Sequence, residues 1–135
     1  MSSGSINHIG IATNSLDNAE DFWNLLGYSR SHDDTVEEQG VRIRYMKGKE
    51  APAIELLEPL GEDSPIARFI SKRGPGVQQI AINVTDISAK IEELIGIGVR
   101  MINEEPLIGS GGHRIAFIHP YSSGGVLIEL VESIT

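Results

Sequence analysis

The stretch Ile6-Asn7-His8-Ile9-Gly10-Ile11-Ala12 returns, altered, as Val77-Gln78-Gln79-Ile80-Ala81-Ile82-Asn83, which puts His8 and Gln79 71 positions apart. Each copy leads into the same kind of sequence. Asn14-Ser15-Leu16 and Thr85-Asp86-Ile87 both read as a strand end followed by a helix start, and Gly27 and Gly98, again 71 apart, both read as helix C-terminal glycines. Later in each half, Ile54-Glu55-Leu56 answers Ile128-Glu129-Leu130 at a spacing of 74. One supersecondary unit is therefore written twice. Two copies are too few for a solenoid, so the pair must close on itself.

The local signals give each copy the order β-α-β-β-β. In the first, a strand over 6–12 precedes a helix over 16–26 capped by Ser15 or Asn14, with Leu16, Ala19, Phe22, Trp23, Leu25 and Leu26 on one apolar side. Strands are expected at 28–34, at 41–46, where alternation predicts one wet side, and at 53–57; Glu37-Glu38-Gln39-Gly40 forms a turn. A connector over 59–76 holds a short helix at 65–72, started by Ser64 with Pro65 in its first turn. The second copy is expected to supply strands at 77–84, 99–103, 113–118 and 125–131 and a helix at 87–96 capped by Asp86. Residues 1–5 are small and polar and are expected to fray. The whole chain, 1–135, then forms one domain with modules at 6–58 and 77–132.

Composition narrows the partners. With 135 residues and a formal net charge of −8, the chain lacks the clustered Lys and Arg of a nucleic-acid surface. No apolar run is long enough to span a bilayer and no signal peptide opens the sequence, so cytoplasmic residence is the default expectation. The absence of cysteine removes disulfides, thiolate ligands and a thiol nucleophile. An anionic ligand must be met by a metal or by a local basic patch, for which Lys47, Lys49, Lys72, Arg73 and Arg114 qualify by charge alone.

Four polar residues sit at repeat-related places inside apolar strands: His8, Glu55, Gln79 and Glu129. A polar side chain in a buried strand is costly unless it finds a partner. Singly, each has a plainer reading: a solvated histidine, or the outward residue of an alternating strand. Taken together they form an N/O donor set of one imidazole, one amide oxygen and two carboxylates, which suits a divalent ion with coordination left for water or substrate. They are expected to point at one central cleft.

The sequence resembles the vicinal oxygen chelate superfamily (glyoxalases, bleomycin resistance proteins and dioxygenases), and within it the methylmalonyl-CoA epimerases. The resemblance runs through Asn7-His8-Ile9-Gly10-Ile11-Ala12, Glu38-Gln39-Gly40-Val41, Glu55-Leu56-Leu57-Glu58-Pro59-Leu60-Gly61 and Asp63-Ser64-Pro65-Ile66-Ala67. It continues through Ile108-Gly109, Phe117-Ile118-His119-Pro120 and Gly124-Gly125-Val126-Leu127-Ile128-Glu129-Leu130. The first and last of these motifs are shared with glyoxalase I; the middle ones are more epimerase-like. The resemblance implies an α+β fold in which two βαβββ modules form a curved, mostly antiparallel sheet around a metal cleft. It implies metal ligands at His8, Glu55, Gln79 and Glu129, with cobalt the favoured ion and zinc, nickel or manganese as alternatives. It also implies a homodimer acting on a small acyl-CoA, with no membrane partner. By the same resemblance, Glu38 and the metal-bound Glu129 are the two bases that move the α-proton through a metal-stabilised enolate; from the residues alone, Glu38 reads as a solvated turn residue beside its decoy Glu37. One departure stands out: the family's usual His-His pair is here Gln78-Gln79. Glu55 also stands where epimerases often carry glutamine. Two alternatives remain open, glyoxalase I and a non-enzymatic antibiotic-binding resistance protein. Binders of that kind commonly lack the four-residue set.

Overall fold

The computed structural model describes residues 4–132. Residues 1–3, part of the segment expected to fray, lie outside the described residues. Residues 8–78 form one compact unit, and residues 79–132 with residues 4–7 form another. Among the described residues no helix is long and apolar enough to cross a membrane.

In the first unit the strands are β1 (Ile6–Ala12), β2 (Ser29–Val36), β3 (Val41–Lys47) and β4 (Ala53–Pro59), lying in the order β2-β3-β4-β1. β1 runs parallel to β4, from His8 opposite Ala53 to Ala12 opposite Leu57. The β2–β3 and β3–β4 pairings are antiparallel. Helix α1 (Leu16–Leu25) starts where the Ser15 hydroxyl accepts the Asn18 N–H, and α2 (Pro65–Arg73) starts where the Ser64 hydroxyl accepts the Ala67 N–H. Alternation along β4 sorts its side chains. Ile54 and Leu56 pack with Leu16, Met46, Ala19 and Trp23 beneath α1. Leu57 packs on the opposite side with Ala12, Ile43, Val36, Val41 and Ile66 of α2. Glu55 shares that second side.

The second unit repeats the plan with β5 (Gly76–Val84), α3 (Ile87–Gly96), β6 (Leu107–Ile108), β7 (Arg114–Ile118) and β8 (Ile128–Glu132), in the order β5-β8-β7-β6. β5 runs parallel to β8, and the other two pairings are antiparallel. The Asp86 carboxylate accepts the Ala89 N–H and starts α3. Leu130 packs with Ile87 and Ile91 of α3, whereas Val131 lies on the other side with Ala81 and Ile115. Glu129 shares the Val131 side.

Four local expectations change. The strand expected at 99–103 is a single bridge, Met101 opposite Ile118. That bridge is made by the His119 N–H on the Arg100 carbonyl (2.9 Å) and the Ile102 N–H on the Phe117 carbonyl (2.8 Å); the Arg100 N–H goes to the Ser122 hydroxyl (2.8 Å), and the module's second strand forms later, at 107–108. Ser5 does not fray. Asn83 donates its backbone N–H to the Ser5 carbonyl and its side-chain amide to the Ser5 hydroxyl, both at 3.0 Å. On α1, Phe22, Leu25 and Leu26 are exposed, so the buried stripe is narrower than the apolar one and centres on Leu16, Ala19 and Trp23. Finally, β3 has no fully wet side, because Arg44 is only 6% exposed.

Arg44 is buried because it is fully engaged. Its Nε and Nη2 donate to the two oxygens of Asp33 on β2, both at 2.9 Å, and Nη1 donates to Asp17 (2.8 Å) and Glu20 (3.0 Å) on α1. One guanidinium thus ties the helix to two strands. Its hydrogen bonds hold the Asp33 and Asp17 carboxyls below their ordinary value of 3.8, and the carboxylates in turn raise the arginine. A lowered carboxyl stabilises the fold fully above its unfolded value, and that contribution is lost as pH falls below about 3.8. Arg44→Met should therefore cost about 2–3 kcal/mol near neutral pH, less than breaking a fully buried pair, because the partner carboxylates of Asp33 and Asp17 reach solvent. The loss should shrink in acid. Urea denaturation of both forms at pH 7 and near pH 3 checks this; equal stabilities at pH 7 would contradict it.

Candidate metal and proton-transfer site

Each unit brings one polar pair into its buried strands. In the first, His8 on β1 and Glu55 on β4 are 4% and 7% exposed, and the imidazole Nδ1 stands 3.0 Å from Glu55 Oε2. In the second, Gln79 on β5 and Glu129 on β8 are each 7% exposed, and the Gln79 amide donates to Glu129 Oε1 at 2.5 Å. Burial removes the plain reading of Glu55 and Glu129 as outward-facing strand residues. Both pairs arise in the same way. A parallel pairing lays the first strand of the module against the last, and strand alternation turns both polar side chains away from the helix.

The chemistry of each pair suits a cation. One pair sets an imidazole nitrogen beside a carboxylate and the other an amide beside a carboxylate, donor types that would suit a divalent ion. With the amide turned over, Gln79 offers its oxygen. Among the described residues no group of three or more His, Asp or Glu side chains is gathered as a metal cluster.

Glu38 is exposed and lies on a 3-10 turn, Glu37–Gln39, between β2 and β3. Glu37 beside it is exposed as well.

Several other sequence candidates are occupied by structural work. Arg114, a candidate for an anionic ligand, donates to Glu132 (3.2 Å) and to the Ser88 hydroxyl (2.7 Å). His119 ends β7, and its Nδ1 accepts the Tyr121 N–H at 3.0 Å. His32, which carries no signal in the sequence, stacks on Tyr45 with ring centroids 4.3 Å apart.

A second repeated device was missed in the sequence. Glu58 accepts the backbone N–H of Leu16 (3.0 Å) with one oxygen and the Arg42 guanidinium (2.8 Å) with the other. Glu132 does the same for Ile87 (2.8 Å) and Arg114 (3.2 Å). In each module a glutamate three residues beyond Glu55 or Glu129 thus fastens the helix start to the strand carrying the buried carboxylate. The negative charge also suits the positive end of the helix dipole. The signal was present: Glu58 and Glu132 are 74 apart, Arg42 and Arg114 72 apart.

The model of the glyoxalase/bleomycin resistance protein/dioxygenase superfamily matches residues 7–117, and the chain belongs to that superfamily. Within it, the chain is 38% identical over 131 residues to the mitochondrial methylmalonyl-CoA epimerase of Dictyostelium discoideum, covering 96% of this chain and 78% of that one. The crystal structure of methylmalonyl-CoA epimerase from Mycobacterium tuberculosis matches with a TM-score of 0.92 at 42% identity, over 96% of this chain and 88% of that chain. A methylmalonyl-CoA epimerase in complex with methylmalonyl-CoA and NH4+ matches with a TM-score of 0.93 at 38% identity, over 99% and 97% of the two chains. The fold is thus the glyoxalase-like α+β fold, built from two βαβββ modules. With such relatives over nearly its whole length, the chain is an isomerase of the epimerase type.

Proposed function

We propose that the chain interconverts the epimers of methylmalonyl-CoA by moving the proton α to the thioester between Glu38 and Glu129. The observation that carries this is the pair of buried couples, His8 with Glu55 and Gln79 with Glu129, at repeat-matched positions of an epimerase-type chain.

The substrate carbon lies between a thioester and a carboxylate, so its proton is weakly acidic. Removing it leaves an enolate whose oxygen carries the new charge. His8, Glu55, Gln79 and Glu129 would hold one divalent ion, cobalt by preference, which when bound supplies Lewis-acid stabilisation of that charge. Inversion needs a proton taken on one side of the carbon and returned on the other. Glu38 takes or gives the proton on one side and Glu129 on the other, each acting as base in one direction and acid in the reverse. The exposure of Glu38 lets it exchange its proton with water between turnovers. Burial of Glu129 makes its charge felt more strongly than in water. We place the enzyme in the cytoplasm as a homodimer, which a cysteine-free, acidic, small-cored chain supports.

Glyoxalase I is the competing assignment, favoured by Gln79 where epimerases usually carry histidine and by the first and last motifs. Turnover decides. Loaded with cobalt, the protein is expected to epimerise methylmalonyl-CoA and to leave the hemithioacetal of methylglyoxal and glutathione unchanged; the opposite pattern would establish the glyoxalase.

A further inference from the structure

We propose that the start of α2 is the positioning element for Glu38, acting through a contact between Ser64 and Gly40; this rests on the reading of Glu38 as a base. The turn that carries Glu38 has little hold of its own. Glu37 and Glu38 are exposed, and the turn closes on one backbone bond, from the Gly40 N–H to the Glu37 carbonyl at 3.0 Å. What fixes it comes from the connector. The Leu60 N–H donates to the Gly40 carbonyl at 3.0 Å. Gly40 adopts a left-handed conformation, φ 63° and ψ 37°, and lies so close to the buried Ser64 that an added Cβ would stand 2.7 Å from the Ser64 Cβ and 3.3 Å from its Cα.

Ser64 cannot easily give way. Its N–H donates to the Gly61 carbonyl (3.2 Å), its carbonyl accepts the Arg68 N–H (3.0 Å), and its hydroxyl accepts the Ala67 N–H (3.0 Å). The residues flanking the turn, Val36 and Val41, are buried in the same cluster as Ile66, two positions beyond Ser64. The turn therefore rests on the first turn of α2 as on a platform, and a shift of that platform moves Glu38. Displacement of a reacting group by about 1 Å is enough to cost roughly 10²-fold in rate. Ser64 and Gly40 are positioning residues; neither is assigned contact with the substrate.

A compensating pair tests this. Gly40→Ala forces the turn and the start of α2 apart. Ser64→Gly removes the opposing Cβ, and glycine is itself an acceptable N-cap. In cobalt-loaded protein with methylmalonyl-CoA in deuterated water, Gly40→Ala is expected to lose roughly 10²-fold in interconversion. It should keep deuterium exchange into the one epimer served by Glu129. Adding Ser64→Gly should restore interconversion at least about tenfold, the clash being relieved while the left-handed strain on alanine remains. Wild-type interconversion in Gly40→Ala, an equal loss of exchange and interconversion, or no recovery in a folded double variant would overturn the proposal. Should Gly40→Ala fail to fold, the double variant carries the test, and it must fold and interconvert. Glu38→Gln, run alongside, separates the two levels: if it interconverts normally, the base assignment fails; if it is inactive while Gly40→Ala is not, only the platform fails.

Discussion

Replacing Glu38 by glutamine is expected to stop epimerisation while leaving bound metal unchanged. The substitution keeps shape and polarity and removes only the ability to take up and release a proton. A single general base contributes about 10²–10⁴-fold, and because inversion requires both sides of the carbon, the loss in interconversion should lie at or beyond the upper end. Exchange should survive: with Glu129 intact, one epimer still trades its α-proton for solvent deuterium. Glu129→Gln should fail differently. It removes the other base and also a negative charge from the proposed donor set, so both metal content and turnover should fall. Mass spectrometry of the thioester, with metal analysis on the same samples, distinguishes the two. A wild-type rate in Glu38→Gln would exclude the two-carboxylate scheme and turn attention to Glu37.

The second large effect is expected at His8. It supplies the one imidazole of the proposed set, and Glu55, whose Oε2 lies 3.0 Å from its Nδ1, is buried with it. His8→Ala should abolish tight binding of a divalent ion measured by equilibrium dialysis. It also leaves the Glu55 carboxylate buried without that partner, so a fall in melting temperature should accompany the loss. Gln79→His should preserve or strengthen binding, since imidazole is the better donor for late first-row metals. Equal metal content in wild type and His8→Ala would remove His8 from the set.

Much of this was visible in the sequence because the signals were local or repeated. Ser15, Ser64 and Asp86 announce helix starts through their own hydroxyl or carboxylate chemistry, and the cap bonds are present. His8, Glu55, Gln79 and Glu129 stand out as polar residues in apolar strands at a fixed offset, and all four are buried. What escaped depends on partners distant in sequence. Arg44 occupies an alternating strand and looks wet; only the arrival of Asp17, Glu20 and Asp33 from two other elements makes its burial tolerable. Glu58 and Glu132 fall just past the strands expected at 53–57 and 125–131, and their part shows only when one oxygen is seen on a helix N–H. The apolar side of α1 exceeds what the sheet covers, so periodicity alone overstated its buried width at Phe22 and Leu25. The strand expected at 99–103 is reduced to one bridge, with the Arg100 N–H held by the distant Ser122 hydroxyl, a partner no propensity records.

The most direct measurement starts from a single epimer of methylmalonyl-CoA, the cobalt-loaded wild-type protein and deuterated water. The expected result is conversion to a mixture of both epimers, with one deuterium at the α-carbon of each product molecule and no other change to the thioester. An α-proton that stays in place, on an epimer that stays pure, would contradict epimerisation by this chain.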